Sequence, residues 1–176
     1  MNKKVAILID GSNFYFKLKD LKIQDQLKLD FRKFSEFLAN GMDVVDRKYY
    51  IGAVKTDGTK KVRKMHARQQ ALFSHLKKHS FSYRLGYLLK SNGKYQEKGV
   101  DIEIAVDMLA HTYENTVDTI ILLSSDTDLI PAVRKAIQKG KHVEYIGFSH
   151  APSIALVSEC SSSRLLIESD LRQFIS

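Results

Sequence analysis

The stretch Thr119-Ile120-Ile121-Leu122-Leu123-Ser124-Ser125-Asp126-Thr127-Asp128 joins an uninterrupted apolar run to two serines and two carboxylates. Such a run reads as a buried strand of a mainly parallel sheet. Carboxylates that follow it directly stand at its carboxyl end, where open α/β sheets bind ligands. The stretch closes a longer acidic one. From Gly99 to Val133 there are seven carboxylates (Asp101, Glu103, Asp107, Glu114, Asp118, Asp126, Asp128) and no Lys or Arg, in a chain whose formal net charge is +8. Crowded carboxylates raise each other's pKa unless a cation holds them ionised, so an acidic island in a basic protein is a candidate cation site.

Working outward, short β-branched or apolar runs alternate with longer segments of helical period, the pattern of an α/β protein. Strands are predicted at Val5 to Ile9, Lys48 to Val54, Phe81 to Leu88, Thr119 to Leu123 and Val143 to Gly147. Asp30 caps a helix running through about Ala39, with Phe31, Phe34, Phe37 and Leu38 at helical spacing. Val62, Met65, Leu72, Phe73 and Leu76 form the buried stripe of the next helix. Val100 to Ala110 is too apolar for a surface helix. A further helix from about Leu129 to Lys139 tolerates Pro131 in its first turn and stops at Gly140. The tail from Ser153 to Ser176 mixes a short helix, an edge strand at Arg164 to Ile167 and a last helix.

With 176 residues, 44% hydrophobic content and two prolines, the sequence fits one domain over residues 1–176. Its one cysteine, Cys160, excludes an intrachain disulfide and a thiolate-rich zinc site, points to a reducing cytoplasm, and is expected to be a small buried apolar residue. The opening run ends at Asp10 and reads as a first strand, not a leader. No apolar run approaches the ~20 residues that span a bilayer, so a soluble protein with no membrane partner is expected.

Asp10 closes strand one in Ile-Leu-Ile-Asp-Gly-Ser-Asn, Asp126 and Asp128 follow the strand ending at Leu123, and Asp101 opens the apolar helix. Any one of them could be a helix cap and nothing more. Together they form a set suited to hard divalent cations, Mg²⁺ or Mn²⁺, which prefer carboxylate and water oxygens and bind substrate phosphate. With a metal, such a site activates water for in-line attack on a phosphodiester. The six histidines show no His-Glu-x-x-His spacing, and the sequence lacks the Gly-x-Ser-x-Gly elbow, the Gly-x-Gly-x-x-Gly turn and the Walker loop.

Ile-Asp-Gly-Ser-Asn at 9 to 13, Lys-Gly-Val-Asp with Ala-Val-Asp-Met-Leu at 98 to 109, and Leu-Ser-Ser-Asp-Thr-Asp-Leu-Ile-Pro at 123 to 131 resemble the NYN domain, more narrowly its bacterial LabA-like branch, a relative of PIN-domain nucleases. The resemblance covers nearly the whole chain. It implies a three-layer α/β/α, PIN-like fold with a mainly parallel central sheet, and a ribonuclease site dependent on Mg²⁺ or Mn²⁺, with an endonuclease as the expected mode. On that reading Asp10, Asp101 and Asp126 are metal ligands and Asp128 ligates or holds a metal-bound water. Asn13 orients the site, Ser125 is a nearby hydroxyl, Asp107 supports the ligands from behind, and Lys98 either steadies a phosphate or is an exposed residue at the flank.

The basic residues have an address of their own. Lys60, Lys61, Arg63, Lys64, Arg68, Lys77 and Lys78 fall between Lys60 and Lys78 with no acid among them. Lys and Arg bind a phosphate backbone through counterion release, without reading sequence, so Lys60, Lys61, Arg63, Lys64 and Arg68 are the candidate contacts to RNA, single-stranded or structured. An ordinary solvated helix face is the plainer reading. Tyr83, Tyr87 and Tyr95 are candidates for stacking on unpaired bases. A homodimer is compatible with the sequence. Two competing functions are a noncatalytic RNA-binding or regulatory module of the same fold and an Asp-based phosphatase. The phosphatase is disfavoured because its Asp-x-Asp pair follows the first strand, whereas Asp126 and Asp128 come late.

Overall fold

The computed structural model of the protein describes residues 2–23, 25–55, 58–91 and 94–175. In chain order the elements are β1 (Lys4–Asp10), α1 (Gly11–Asp20), α2 (Phe31–Ala39), β2 (Asp43–Ala53), α3 (Lys60–Lys78), β3 (Ser82–Ser91), β4 (Lys94–Lys98), α4 (Val100–Tyr113), β5 (Thr119–Leu123), α5 (Ile130–Gln138), β6 (His142–Phe148), α6 (Ile154–Glu159), β7 (Ser162–Leu166) and α7 (Glu168–Arg172). The strands form one sheet in the order β4-β3-β2-β1-β5-β6-β7. Every pairing is parallel except β3 with β4. The predicted α/β class with a mainly parallel sheet is therefore what the structure has, flanked by helices on both faces.

Alternation along β1 divides the core in two. Val5, Ile7 and Ile9 face one way, onto α1, α2 and α3, in a cluster that includes Phe14, Phe31, Phe34 and Phe148. Ala6 and Leu8 face the other way, onto α4 and α5, with Ile104, Met108, Val133 and Ala136. Residues 5–9 of β1 and all of β5 are essentially inaccessible to solvent, as a central parallel strand requires. The caps follow the local sequence: Asp30 accepts from the Lys33 amide at 3.0 Å to start α2, and Gly140 takes a φ of +83° just beyond α5.

The strand order fixes where a ligand can enter. The chain lays β2, β3 and β4 successively on one side of β1, then returns to place β5 on its other side. The crevice of an open α/β sheet lies at this reversal, outside the carboxyl ends of the strands. Ile9 pairs with Leu123 in the register of β1 with β5. The next residues, Asp10 and Ser124, consequently emerge side by side at the crevice.

The structure goes beyond the elements predicted: a helix, α1, follows Asp10 directly, β2 starts at Asp43 instead of Lys48, β3 runs on to Ser91, and an antiparallel strand, β4, pairs with it. Cys160 is only half-buried, against the α5–α6 side of the core, and burial raises its thiol to about 11.

Gly11 shows how tightly the crevice is built. A Cβ there would lie 2.2 Å from the Tyr49 ring and 2.7 Å from the Tyr50 carbonyl oxygen. The first turn of α1 can thus lie against β2 only without a side chain at this position. Gly11→Ala should cost about 1–3 kcal/mol through overpacking, read as a lower urea midpoint with an unchanged slope; a midpoint equal to wild type would show that α1 can move away at no cost.

Candidate active site

Asp10 ends β1 and is buried, with 8% of its surface exposed. One carboxylate oxygen accepts from the Asn13 amide at 3.0 Å, capping α1. The other accepts from the Ser124 hydroxyl at 2.9 Å. That hydroxyl also accepts from the Asp126 amide at 3.1 Å, so the buried Ser124 ties the two acidic strand ends together. Asp126 in turn accepts from the Asp128 amide at 2.9 Å and caps the short 3-10 turn Thr127–Leu129. The cap role and the site role are therefore one geometry. Capping uses one oxygen of Asp126 and fixes the direction of the other.

Asp101 enters from α4, whose first residues follow Gly99 in the left-handed conformation at φ +80°. Asp101, Asp126 and Asp128 each present an oxygen such that the three lie within 4.8 Å of one another. Asp10, Glu97, Lys98, Gly99, Val100, Asp101 and Asp126 line a cavity of about 180 Å³ at the same place. Lys98 is exposed at its rim.

Glu97, on β4, joins the site although it is not among the residues expected there. Its carboxylate accepts from the Ser12 hydroxyl at 2.7 Å and from the Gly52 amide at 2.6 Å, which hold it facing the acidic group. The signal was the dipeptide Asn92-Gly93, a strong hairpin marker between alternating segments, which would have placed a strand across Lys94 to Lys98. Those two residues themselves lie outside the described set.

Burial is the main cause that raises Asp10 to about 6, and the negative charges of Glu97 and Asp126 push in the same direction. The Asn13 amide and Ser124 hydroxyl only partly offset this. Every donor offered here is a carboxylate oxygen, with no His or Cys among the described residues of the cluster. That set suits a hard divalent cation, and a cation would remove the repulsion that raises Asp10. The residues present therefore fit a metal.

The remaining expected residues divide. Asn13 sits in the first turn of α1, its side-chain carbonyl accepting from the Ser125 hydroxyl at 3.4 Å, so these two meet at the edge of the site. Asp107 does not support the ligands. Six residues past Asp101 on α4 it is a third of a turn away, and β2 supplies it with other partners. Its carboxylate accepts from the Tyr50 hydroxyl at 2.8 Å and pairs with Lys48 at 2.9 Å.

Lys60, Lys61, Arg63, Lys64 and Arg68 are all exposed on α3, and Val62, Leu72, Phe73 and Leu76 are buried as expected. Met65 is not part of the buried stripe; it is 39% exposed. At 100° per residue, Lys61 and Arg68 share the side that carries Met65, Lys64 stands about a quarter-turn round from it, and Lys60 and Arg63 turn away. Arg68 also pairs with Asp25 at 3.7 Å. Tyr83 is committed to packing, stacked on Phe73 with ring centroids 4.0 Å apart. Tyr87 is half exposed, and the Tyr95 side chain lies outside the described residues.

Residues 4–166 match the family model described as the NYN domain. An uncharacterized protein of Methanocaldococcus jannaschii is 27% identical over 153 residues, which are 87% of this chain and 51% of that protein. This chain thus spans about half the length of that relative. A crystal structure of a protein of unknown function from Vibrio parahaemolyticus superposes with a TM-score of 0.67 at 23% identity, covering 94% of this chain and 93% of that one. It shares the fold.

The raised Asp10 has a measurable consequence. Below pH 3.8 the carboxyl is neutral in both folded and unfolded chains. Between there and about pH 6 only the folded chain keeps the proton, so stability falls as pH rises through that window. Full ionisation costs on the order of 3 kcal/mol. In EDTA at pH 7.5, Asp10→Asn should therefore melt above wild type, by about 5 °C in calorimetry. Added Mn²⁺ should raise wild type and should raise Asp126→Asn, which lacks one of the three gathered carboxylates, far less. An Asp10→Asn variant that melts lower than wild type in EDTA would contradict this reading of Asp10.

Proposed function

The chain belongs to the NYN domain family, and we propose that it is a divalent-metal-dependent ribonuclease of the LabA-like branch that hydrolyses RNA phosphodiester bonds. The observation that carries this reading is the convergence of Asp10, Glu97, Asp101, Asp126 and Asp128 from four separate parts of the chain onto one end of the sheet. Structural acids are ordinarily spread out or paired with cations. Five together at a ligand-binding edge are costly without a counter-ion, and metal-dependent hydrolysis of a phosphodiester uses such a cation.

Asp101, Asp126 and Asp128 would hold the metal, with Asp10 and Glu97 completing the acidic wall. Such an ion, when bound, makes water a usable nucleophile near neutral pH and offsets charge on the phosphate. The chain's own groups do the rest. Ser124 and the Asn13 amide keep the Asp10 carboxylate in one orientation. Ser12 and the Gly52 amide do the same for Glu97. Lys98, exposed at the rim, meets an incoming phosphate as a point charge. In hydrolysis a water oxygen attacks phosphorus in line, the bond to the leaving sugar oxygen breaks, and that oxygen takes up a proton.

RNA is the favoured polymer because the side of α3 that carries Lys61 and Arg68 borders the same end of the sheet, and because the family resemblance points to ribonucleases. Cutting within the strand is the mode we expect, and the cytoplasm is the compartment we propose.

Asp126→Asn should lower Mn²⁺-dependent cleavage of 5′-labelled single-stranded RNA by at least about a hundredfold while leaving RNA binding intact. Lys61→Gln with Lys64→Gln should weaken binding about equally for any sequence. It should also reduce the slope of log Kd against log salt by about 1.4, the loss of two phosphate contacts on a single strand. Unchanged cleavage by Asp126→Asn would overturn the metal-site reading; retained RNA binding with no cleavage by wild type under either metal would favour a noncatalytic binding module.

A further inference from the structure

Beside the acidic cavity, on the α3 side of the sheet, lies a second and larger cleft of about 340 Å³. Its walls include Tyr15 from α1, Gln26, Ile51 and Val54 from the β2 end, and Met65 and Leu72 from α3. We propose that this cleft is a subsite for one unpaired nucleobase of the RNA strand whose neighbouring phosphate lies at the acidic cavity. The inference rests on the nuclease reading above and adds the part of the substrate that the protein grips.

Three observations converge on it. The cleft and the acidic cavity share a wall. Ser12 lines the cleft and donates to Glu97. Gly52 gives its N–H to Glu97, while its carbonyl accepts from the Gln69 amide at 2.8 Å, and Gln69 lines the cleft. A base in the cleft and a phosphate at the acids would thus be separated by the thickness of one side chain, as neighbours on one strand are. The lining is also of the right kind. It is mostly apolar, with an aromatic ring and a thioether, Tyr15 and Met65, each 39% exposed. Base faces stack on such groups irrespective of sequence. The volume is at the low end of the ~300–1,000 Å³ typical of small-ligand sites, enough for one flat ring system.

The third observation is the charge at the approach. Arg68 lines the cleft, where it pairs with Asp25 at 3.7 Å, and Lys61 lies on the same side of α3 as Met65, so positive charge stands at the entry, as a polyanion requires.

The test is abasic scanning. A single-stranded RNA dodecamer carrying one abasic nucleotide, moved along the strand, is cleaved by the full chain with Mn²⁺, and KM and kcat are measured against the mapped cut site. At one fixed offset from the cut, the abasic nucleotide should raise KM about tenfold with kcat little changed. Tyr15→Ala should raise KM for intact RNA by a similar factor and make that offset insensitive, because ring and base are lost together. Met65→Gln, at an exposed helix position, repeats the test should Tyr15→Ala fold poorly. If the RNA is cut but no position changes KM by more than twofold, the cleft holds no base, and the nuclease reading stands. If no RNA is cut with any metal, the nuclease reading falls and this subsite falls with it.

Discussion

The hydrogen bond from Ser124 to Asp10 is the contact on which the organisation of this protein turns. It joins the ends of β1 and β5, the two strands between which the sheet reverses its order, and it carries the Asp126 amide on the same hydroxyl. Asp10 is buried because β1 is the central strand, and it is tolerated there because Ser124 and the first turn of α1 satisfy both oxygens. From this small network the direction of α1, the turn that holds Asp126 and Asp128, and the position of the acidic cavity all follow. A carboxylate held near the limit of what burial allows is an unstable arrangement in isolation and a useful one beside a cation.

Much of this could be read from residues. Strands β1 and β5 announce themselves as apolar runs ending in polar groups, and Asp30, Pro131 and Gly140 mark helix ends by chemistry that is local. Asp10, Asp101, Asp126 and Asp128 were legible as candidates for the same reason, since each lies at or within a few residues of the end of an element whose position the sequence makes plain. What could not be read depended on contacts distant in the chain. Glu97 belongs to the site only because β4 folds back on β3 and brings it against Ser12 and Gly52. Asp107 resembles a site residue in its motif, but Lys48 and Tyr50, almost sixty residues earlier, capture it. Met65 has the spacing of a core residue and is left half out because the β2 end leaves a cleft there instead of a packed surface.

The two faces of the sheet carry different work. On the α4–α5 face the packing is continuous, and the polar residues that enter it, Asp107 with Lys48 and Tyr50, are paired with one another. On the α1–α3 face the aromatic core around Phe14 and Phe31 is equally dense below, but toward the carboxyl end of the strands it opens into the cleft beside the acids. The negative cavity and the positive side of α3 are thus close neighbours across the end of β2. A polyanion can be drawn to the second and brought to the first only if the acids are neutralised on the way.

Titration of Mn²⁺ into metal-free protein, followed by electron paramagnetic resonance with proton release measured in parallel at pH 6, tests the central claim most directly. The account predicts saturable binding coupled to loss of part of a proton per chain, because Asp10, raised to about 6, must ionise as the cation arrives. It also predicts that Asp126→Asn abolishes both signals. Absence of saturable binding by folded protein, or binding unaffected by Asp126→Asn, would mean that the five carboxylates are not gathered to hold a metal.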